Sequence, residues 1–318
     1  MSPLLVTYQI RCKYTIIFNI KKNCAQPFYF CNLILVKYLS KPINMKRILV
    51  PTDFSPQAEN ALKVAAQLAS KHGSEIYLLH SLEMPLSIGG SNDNSNLPES
   101  LFFIKLAEKN FSEILEKPYL KDINIYEAIG HNEIYNDIAA TIEASKIDLI
   151  IMGSHGSSGF KEMFIGSNTE KVVRTSNIPV LVIKNEHAVF EINDFIFATD
   201  FDEECRWSFN EAVKFAKNTG AKLHLLFVNT PSDFKTSSQI NEIMNNFLKG
   251  MGAENFTLNV YNENSVEKGI LQFAKEKNAQ LIGMSTHGRK GISHFFNGSI
   301  SEDLVNHANM PVITFKIQ

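Results

Sequence analysis

The chain repeats itself, and that repetition limits its possible folds more than any other feature. Ile48-Leu49-Val50-Pro51-Thr52-Asp53-Phe54 returns as Phe195-Ile196-Phe197-Ala198-Thr199-Asp200-Phe201, and Ile76-Tyr77-Leu78-Leu79-His80 returns as Leu223-His224-Leu225-Leu226-Phe227, both 147 residues later. Ser154-His155-Gly156 returns as Thr286-His287-Gly288, and Gly166-Ser167 as Gly298-Ser299, at an offset of 132. The first copy therefore holds 15 extra residues, and the polar stretch Ser87–Pro98 is the place for them. Repetition at this length means two homologous domains in tandem. They are expected over residues 45–185 and 194–318, joined near Asn185–Asn193.

Each copy alternates between strand and helix patterns. Ile48–Pro51 is a short apolar run, expected as a buried strand. Ser55 is suited to cap a helix that begins at Pro56, runs with apolar residues at helical spacing from Ala58 to Ala69, and stops at Gly73. The pattern then predicts strands at Ile76–Leu79, Ile123–Ala128, Ile147–Met152 and Val180–Ile183. Helices are predicted at 99–116, Ile134–Ala144 and Ser167–Ser176. In the first of these helices Leu101, Ile104, Ala107, Phe111, Ile114 and Leu115 form the expected apolar face. The predicted class is α/β: two Rossmann-like domains, each a five-stranded parallel sheet with helices on both faces. Such sheets bind ligands beyond the carboxyl ends of their strands, where the strand order reverses.

Residues 1–44 stand apart. They hold six basic residues, no acidic residue and three of the four cysteines, Cys12, Cys24 and Cys31. Without them 25 basic residues face 33 acidic ones. The apolar runs are short and broken, and no small-residue cleavage site follows, so a signal peptide is not indicated. The segment reads as translated upstream sequence with the domain start at Met45, or as an extension foreign to the fold. Whole-chain composition, 44% hydrophobic and 20% charged with a net charge of -2, excludes general disorder and gives no electrostatic footprint for nucleic acid. No run of 18 apolar residues is present, so no membrane partner is expected and a cytoplasmic location is. Cysteine spacing fits neither a disulfide scaffold nor a cysteine zinc site.

The fourth strand of copy one runs into Gly153-Ser154-His155-Gly156, and nine residues later Gly166-Ser167 opens a helix. Glycines that admit close approach, exposed N–H groups and a helix N-terminus suit phosphate. The spacing is neither Walker A nor the dinucleotide fingerprint. These motifs resemble the universal stress protein family, in a tandem form. The resemblance rests on Ile48–Ser55, Leu78–His80 and Asp148–Ile183 and extends over both copies, Lys46 to about Lys316. It implies ATP as cofactor, with Mg or Mn as an accompanying cation left open. It puts Asp53 and the backbone of Ser81 near the nucleoside, Met152 and Gly153 along the ribose and phosphate side, and Gly156, Gly166, Ser167 and Asn168 around the phosphates. A weaker second site would use Asp200, Gly288, Gly298 and Ser299. There Ser285 replaces Gly153, and its Cβ is expected to crowd the ribose-phosphate and to strain any positive φ. Arg289-Lys290 reads as a solvated loop face.

Simpler readings stand beside these. Ser167-Asn168-Thr169-Glu170 and Ser299-Ile300-Ser301-Glu302 are capping boxes in pattern. Asp53 could cap its own turn. His155 and His287 lack partners at metal-ligand spacing and are expected to order their loops. Cys205 is expected to be a buried thiol rather than a reactive one. Met163-Phe164 and Phe295-Phe296 are read as packing. Functionally, an ATP-dependent switch leads. A slow ATPase or autokinase is the second reading, although no general base is evident near the phosphates. A nucleotide-free interaction module is the third. The apolar fifth strands Pro179–Ile183 and Pro311–Phe315 are expected to pair antiparallel within one chain, making a pseudo-dimer. A further homodimer and protein partners are left open.

Overall fold

The computed structural model describes residues 45–82, 97–156, 166–250, 256–286 and 304–317. The N-terminal extension, Ser87–Asn96, Met163-Phe164, His287, Gly288, Arg289-Lys290, Phe295-Phe296 and Gly298–Glu302 lie outside the described residues.

The first copy starts with β1 (Arg47–Pro51), whose four inner residues are buried. Helix α1 (Pro56–His72) follows. Ser55 caps it by accepting from the Ala58 N–H at 3.3 Å, and Gly73 ends it in the left-handed region at φ 66°. Then come β2 (Glu75–Ser81), α2 (Leu97–Leu115), β3 (Ile125–Gly130), α3 (Ile134–Ser145), β4 (Leu149–Gly153), α4 (Ser167–Thr175) and β5 (Val180–Ile183). The second copy has β6 (Asp194–Ala198), α5 (Arg206–Thr219), β7 (Lys222–Asn229), α6 (Ser237–Leu248), β8 (Phe256–Asn262), α7 (Val266–Lys277), β9 (Leu281–Thr286) and β10 (Val312–Lys316). The repeat extends to unusual backbone angles. Phe54 and Phe201 (φ 63° and 62°), Gly73 and Gly220 (66° and 80°), and Lys146 and Asn278 (50° and 51°) are matched pairs in the left-handed region.

The ten strands of the described residues form one sheet, in the order β3-β2-β1-β4-β5-β10-β9-β6-β7-β8. Within each copy the pairing is parallel, and the two halves join through antiparallel β5 and β10, with Val312 opposite Val182 and Ile313 opposite Leu181. The expected pairing of the fifth strands is thus present. Apolar cores cover both faces. One lies under α1, α2, α5 and α6, with Leu62, Phe111, Phe209 and Phe247, and the other under α3, α4 and α7, with Ile138, Val172 and Ile270. The connection between the copies lies along α1: Gln67 accepts from the Phe190 N–H at 2.6 Å and donates to the His187 carbonyl at 3.1 Å.

One helical face differs from expectation. Leu101 is 50% exposed, and Phe102, Phe103 and Leu106 beside it are also exposed, while Ala107, Phe111 and Ile114 face the core. These exposed positions all lie in the N-terminal half of α2, and the buried ones follow from Ala107 onward.

Candidate functional site

In each half the strand order reverses between the first and fourth strands: β3-β2-β1 runs one way from the centre and β4-β5 the other. Loops leaving β1 and β4 therefore diverge and open a crevice at their carboxyl ends. Asp53 stands there, exposed, one residue past Thr52. The turn is tightly held. Thr52 Oγ1 accepts from the Phe54 N–H at 3.0 Å, and Asp53 Oδ1 accepts from the Ser55 N–H at 3.1 Å. Asp53 thus does cap its own turn, and its other oxygen lies against Gly156, where an added Cβ would collide with it.

That turn holds Phe54 at positive φ, which is costly for a bulky residue. Its ring packs on His80 at 4.5 Å and on Phe111 at 5.3 Å, while His80 Nδ1 donates to the Thr52 carbonyl at 2.8 Å. Phe54 was not among the residues singled out from sequence. The available signal was the recurrence of Thr-Asp-Phe, two short polar side chains before an aromatic one, in both copies.

The glycine loop leaves β4 and returns to the same place. The Ser154 N–H donates to the Ile183 carbonyl at 3.0 Å, and the Gly166 N–H donates to the Ser154 carbonyl at 2.8 Å. A Cβ on Gly166 would stand 3.3 Å from the His155 Cα, so glycine lets the returning strand touch the departing one. His155 shares a 3.0 Å hydrogen bond with Ser154 Oγ, the loop-ordering contact expected of it. Helix α4 has Gly166 as its N-cap, with no side-chain cap, so the capping box centred on Ser167 does not form. Ser167 and Asn168 are instead exposed in the first turn, while Thr169 Oγ1 turns inward and donates to the Gly153 carbonyl at 2.9 Å. Ser81, ending β2, is half-buried, and its Oγ finds no partner among the described residues. The Met152 side chain is buried in the core, which leaves only its backbone to face the crevice.

Gly153 has a different cause from the one expected. It is not at positive φ, and its Cβ direction points at α1: an added Cβ would lie 2.9 Å from the Gln57 carbonyl carbon and oxygen and 3.2 Å from the Ala58 nitrogen. The glycine lets the first turn of α1 sit on β4. In the second copy Ser285 fills that space, fully buried, with its hydroxyl 2.6 Å from Ser208 Oγ. Helix α5 accordingly starts at Arg206, three residues later in register than α1, after a 3-10 turn Glu203–Cys205. That turn brings Cys205 onto Asp200, and the thiol donates to Asp200 Oδ1 at 3.2 Å. Burial, then the neighbouring carboxylate, push the thiol well above its ordinary pKa, so it is an inert structural donor. Asp200 is 7% exposed, whereas its counterpart Asp53 is open to solvent.

Comparison with known proteins supports the same reading. The family model described as the universal stress protein family matches twice, over residues 44–184 and 192–316. A universal stress protein of Methanocaldococcus jannaschii is 36% identical over 162 residues, covering 45% of this chain and 97% of its own length. One from Synechocystis is 24% identical over 298 residues, covering 86% of this chain and all of its own. The crystal structure of a universal stress protein from Archaeoglobus fulgidus superposes with a TM-score of 0.63 at 24% identity, over 86% of this chain and 99% of that one. Two matches in series, a repeated α/β fold and a glycine loop at the switch point of the first half converge: the chain is a tandem member of the universal stress protein family.

Proposed function

We propose that the first repeat binds ATP in the crevice beyond β1, β2 and β4, and that the chain acts in the cytoplasm as a nucleotide-dependent stress-response switch. The observation that carries this is the contrast between the copies. Asp53 is open beside the glycine loop and the exposed first turn of α4, while Asp200 is closed over by Cys205. Gly156, Ser167 and Asn168 would hold the phosphates through N–H groups near the positive end of the α4 dipole, and Gly166, whose own N–H goes to the Ser154 carbonyl, would bring the backbone close to them. Asp53 and the Ser81 backbone would take the nucleoside. Among the described residues no group of three His, Cys, Asp or Glu side chains could hold a metal ion, so the cation of a metal–ATP complex would travel on the phosphate oxygens, neutralising their charge.

The acidic residue in the first turn of α4, Glu170, is paired with Arg174 at 3.5 Å, which favours a switch over an enzyme of useful turnover. Among the described residues no helix is long and apolar enough to cross a membrane. Isothermal titration of the full chain with ATP tests the reading, with an expected stoichiometry near one. A stoichiometry of two overturns the closed second site, and no binding overturns the first. Gly166→Val should abolish binding. The cause differs from simple blockage by the side chain: the Cβ presses on His155 and moves the loop that carries the N–H groups.

A further inference from the structure

We propose that Lys316, in the second repeat, is a positioning residue for the phosphate-binding helix of the first. The inference rests on the nucleotide reading above and adds to it that the site depends on both repeats. Helix α4 has only nine residues, and Thr169, Val172 and Val173 are its buried side chains. So short an element with so small an apolar face depends on polar anchors for its place along its axis. Its N-terminal anchor comes from its own repeat, Thr169 Oγ1 to the Gly153 carbonyl. Its C-terminal anchor comes from the other. Lys316 Nζ, at the end of β10, donates to the Thr175 carbonyl at 3.2 Å and to Asn177 Oδ1 at 2.8 Å. It thereby satisfies a carbonyl that the helix leaves unpaired, and sets a positive charge at the negative end of the dipole.

The contact has a mirror image. Lys184 matches Lys316 at the offset of 132, and its Nζ donates to the Asn306 carbonyl in the last helical stretch of the second repeat, 304–307. Asn185 adds a 3.2 Å bond to the Asn309 carbonyl. Each repeat thus reaches across the β5–β10 joint to hold the far end of the other's fourth helix. Lys184 is half-buried, and burial brings its pKa down to about 8. Of the two lysines, Lys316 serves the copy whose crevice is open. Over the nine residues of α4, at about 1.5 Å per residue, an axial shift at Thr175 passes undiminished to Ser167 and Asn168.

The test uses the full chain with Lys316→Met, read by titration with ATP and, separately, with adenosine. ATP affinity should fall about fivefold while adenosine affinity stays within about twofold, because only the phosphate contacts depend on the placement of α4. Lys316→Arg, which keeps charge and donors, should restore ATP binding. Equal ATP affinity in wild type and Lys316→Met, or an equal loss for both ligands, overturns the proposal. If Lys316→Met does not fold, Asn177→Ala removes one acceptor and must give the same preference for loss of ATP. A wild-type chain that binds no nucleotide fails the underlying reading instead, and so separates the two failures.

Discussion

At the residue scale, the exchange of Gly153 for Ser285 explains more of the difference between the copies than any ligand contact. A glycine at the end of β4 lets the backbone of α1 rest at 2.9 Å from where a Cβ would stand, and near the end of β9 a serine fills that space beside a helix that begins three residues later. Gly153→Ala should therefore destabilise the protein by about 1–3 kcal/mol, the ordinary cost of overpacking against backbone that has no rotamer to yield. Urea unfolding measures this, and a change within about 0.3 kcal/mol would mean that α1 adjusts freely. The glycine itself was visible in the sequence, but its reason was not. A motif places a glycine in order along the chain, whereas the atoms that crowd it, Gln57 and Ala58, come from a helix almost 100 residues earlier. The same limit hid Phe54: positive φ follows from two side-chain bonds, Thr52 to the Phe54 N–H and Asp53 to the Ser55 N–H, that only the folded turn makes.

At the scale of elements, the legible features were those written locally. Ser55 and Gly73 bracket α1 as expected, because capping and the left-handed C-terminus are settled within a few residues. The strands of the first copy were found, with ends displaced by a residue or two. Helix α2 was less legible. Leu101, Phe102, Phe103, Ile104, Leu106 and Ala107 are nearly continuous, so spacing alone does not say which of them face inward. The answer comes from contacts made only in the folded chain, which leave Leu101 half exposed and Phe111 fully buried. Two substitutions separate the faces. Leu101→Gln should change stability by less than about 0.5 kcal/mol, while Phe111→Ala should cost about 3–5 kcal/mol through the cavity it leaves among Phe54, Ile114 and their neighbours. A costly Leu101→Gln in thermal or urea unfolding would place the apolar half of α2 in the core after all.

At the scale of the whole molecule, the joint decides how the two copies share stability. The central pair β5 and β10 contributes to both cores at once. Leu181, Ile183, Ile313 and Phe315 belong to the core on one face, and Val180, Val182 and Val312 to the core on the other. Each core therefore runs unbroken from the first copy to the second, and the sheet continues through the joint by backbone hydrogen bonds. Removing one copy would expose an apolar strand edge together with both faces of its neighbour, a cost that neither half can avoid by unfolding first. Repeats joined only by a linker would unfold separately, since cooperativity extends no further than the core. The chain should accordingly melt in a single transition, with calorimetric and van't Hoff enthalpies in agreement. Amides of Leu181–Ile183 and Ile313–Phe315 should exchange at the slowest, globally limited rate, and those of the outer strands β3 and β8 faster. Two resolved transitions, or joint amides exchanging faster than β3 and β8, would show that the copies are stable units on their own and that the shared core contributes little.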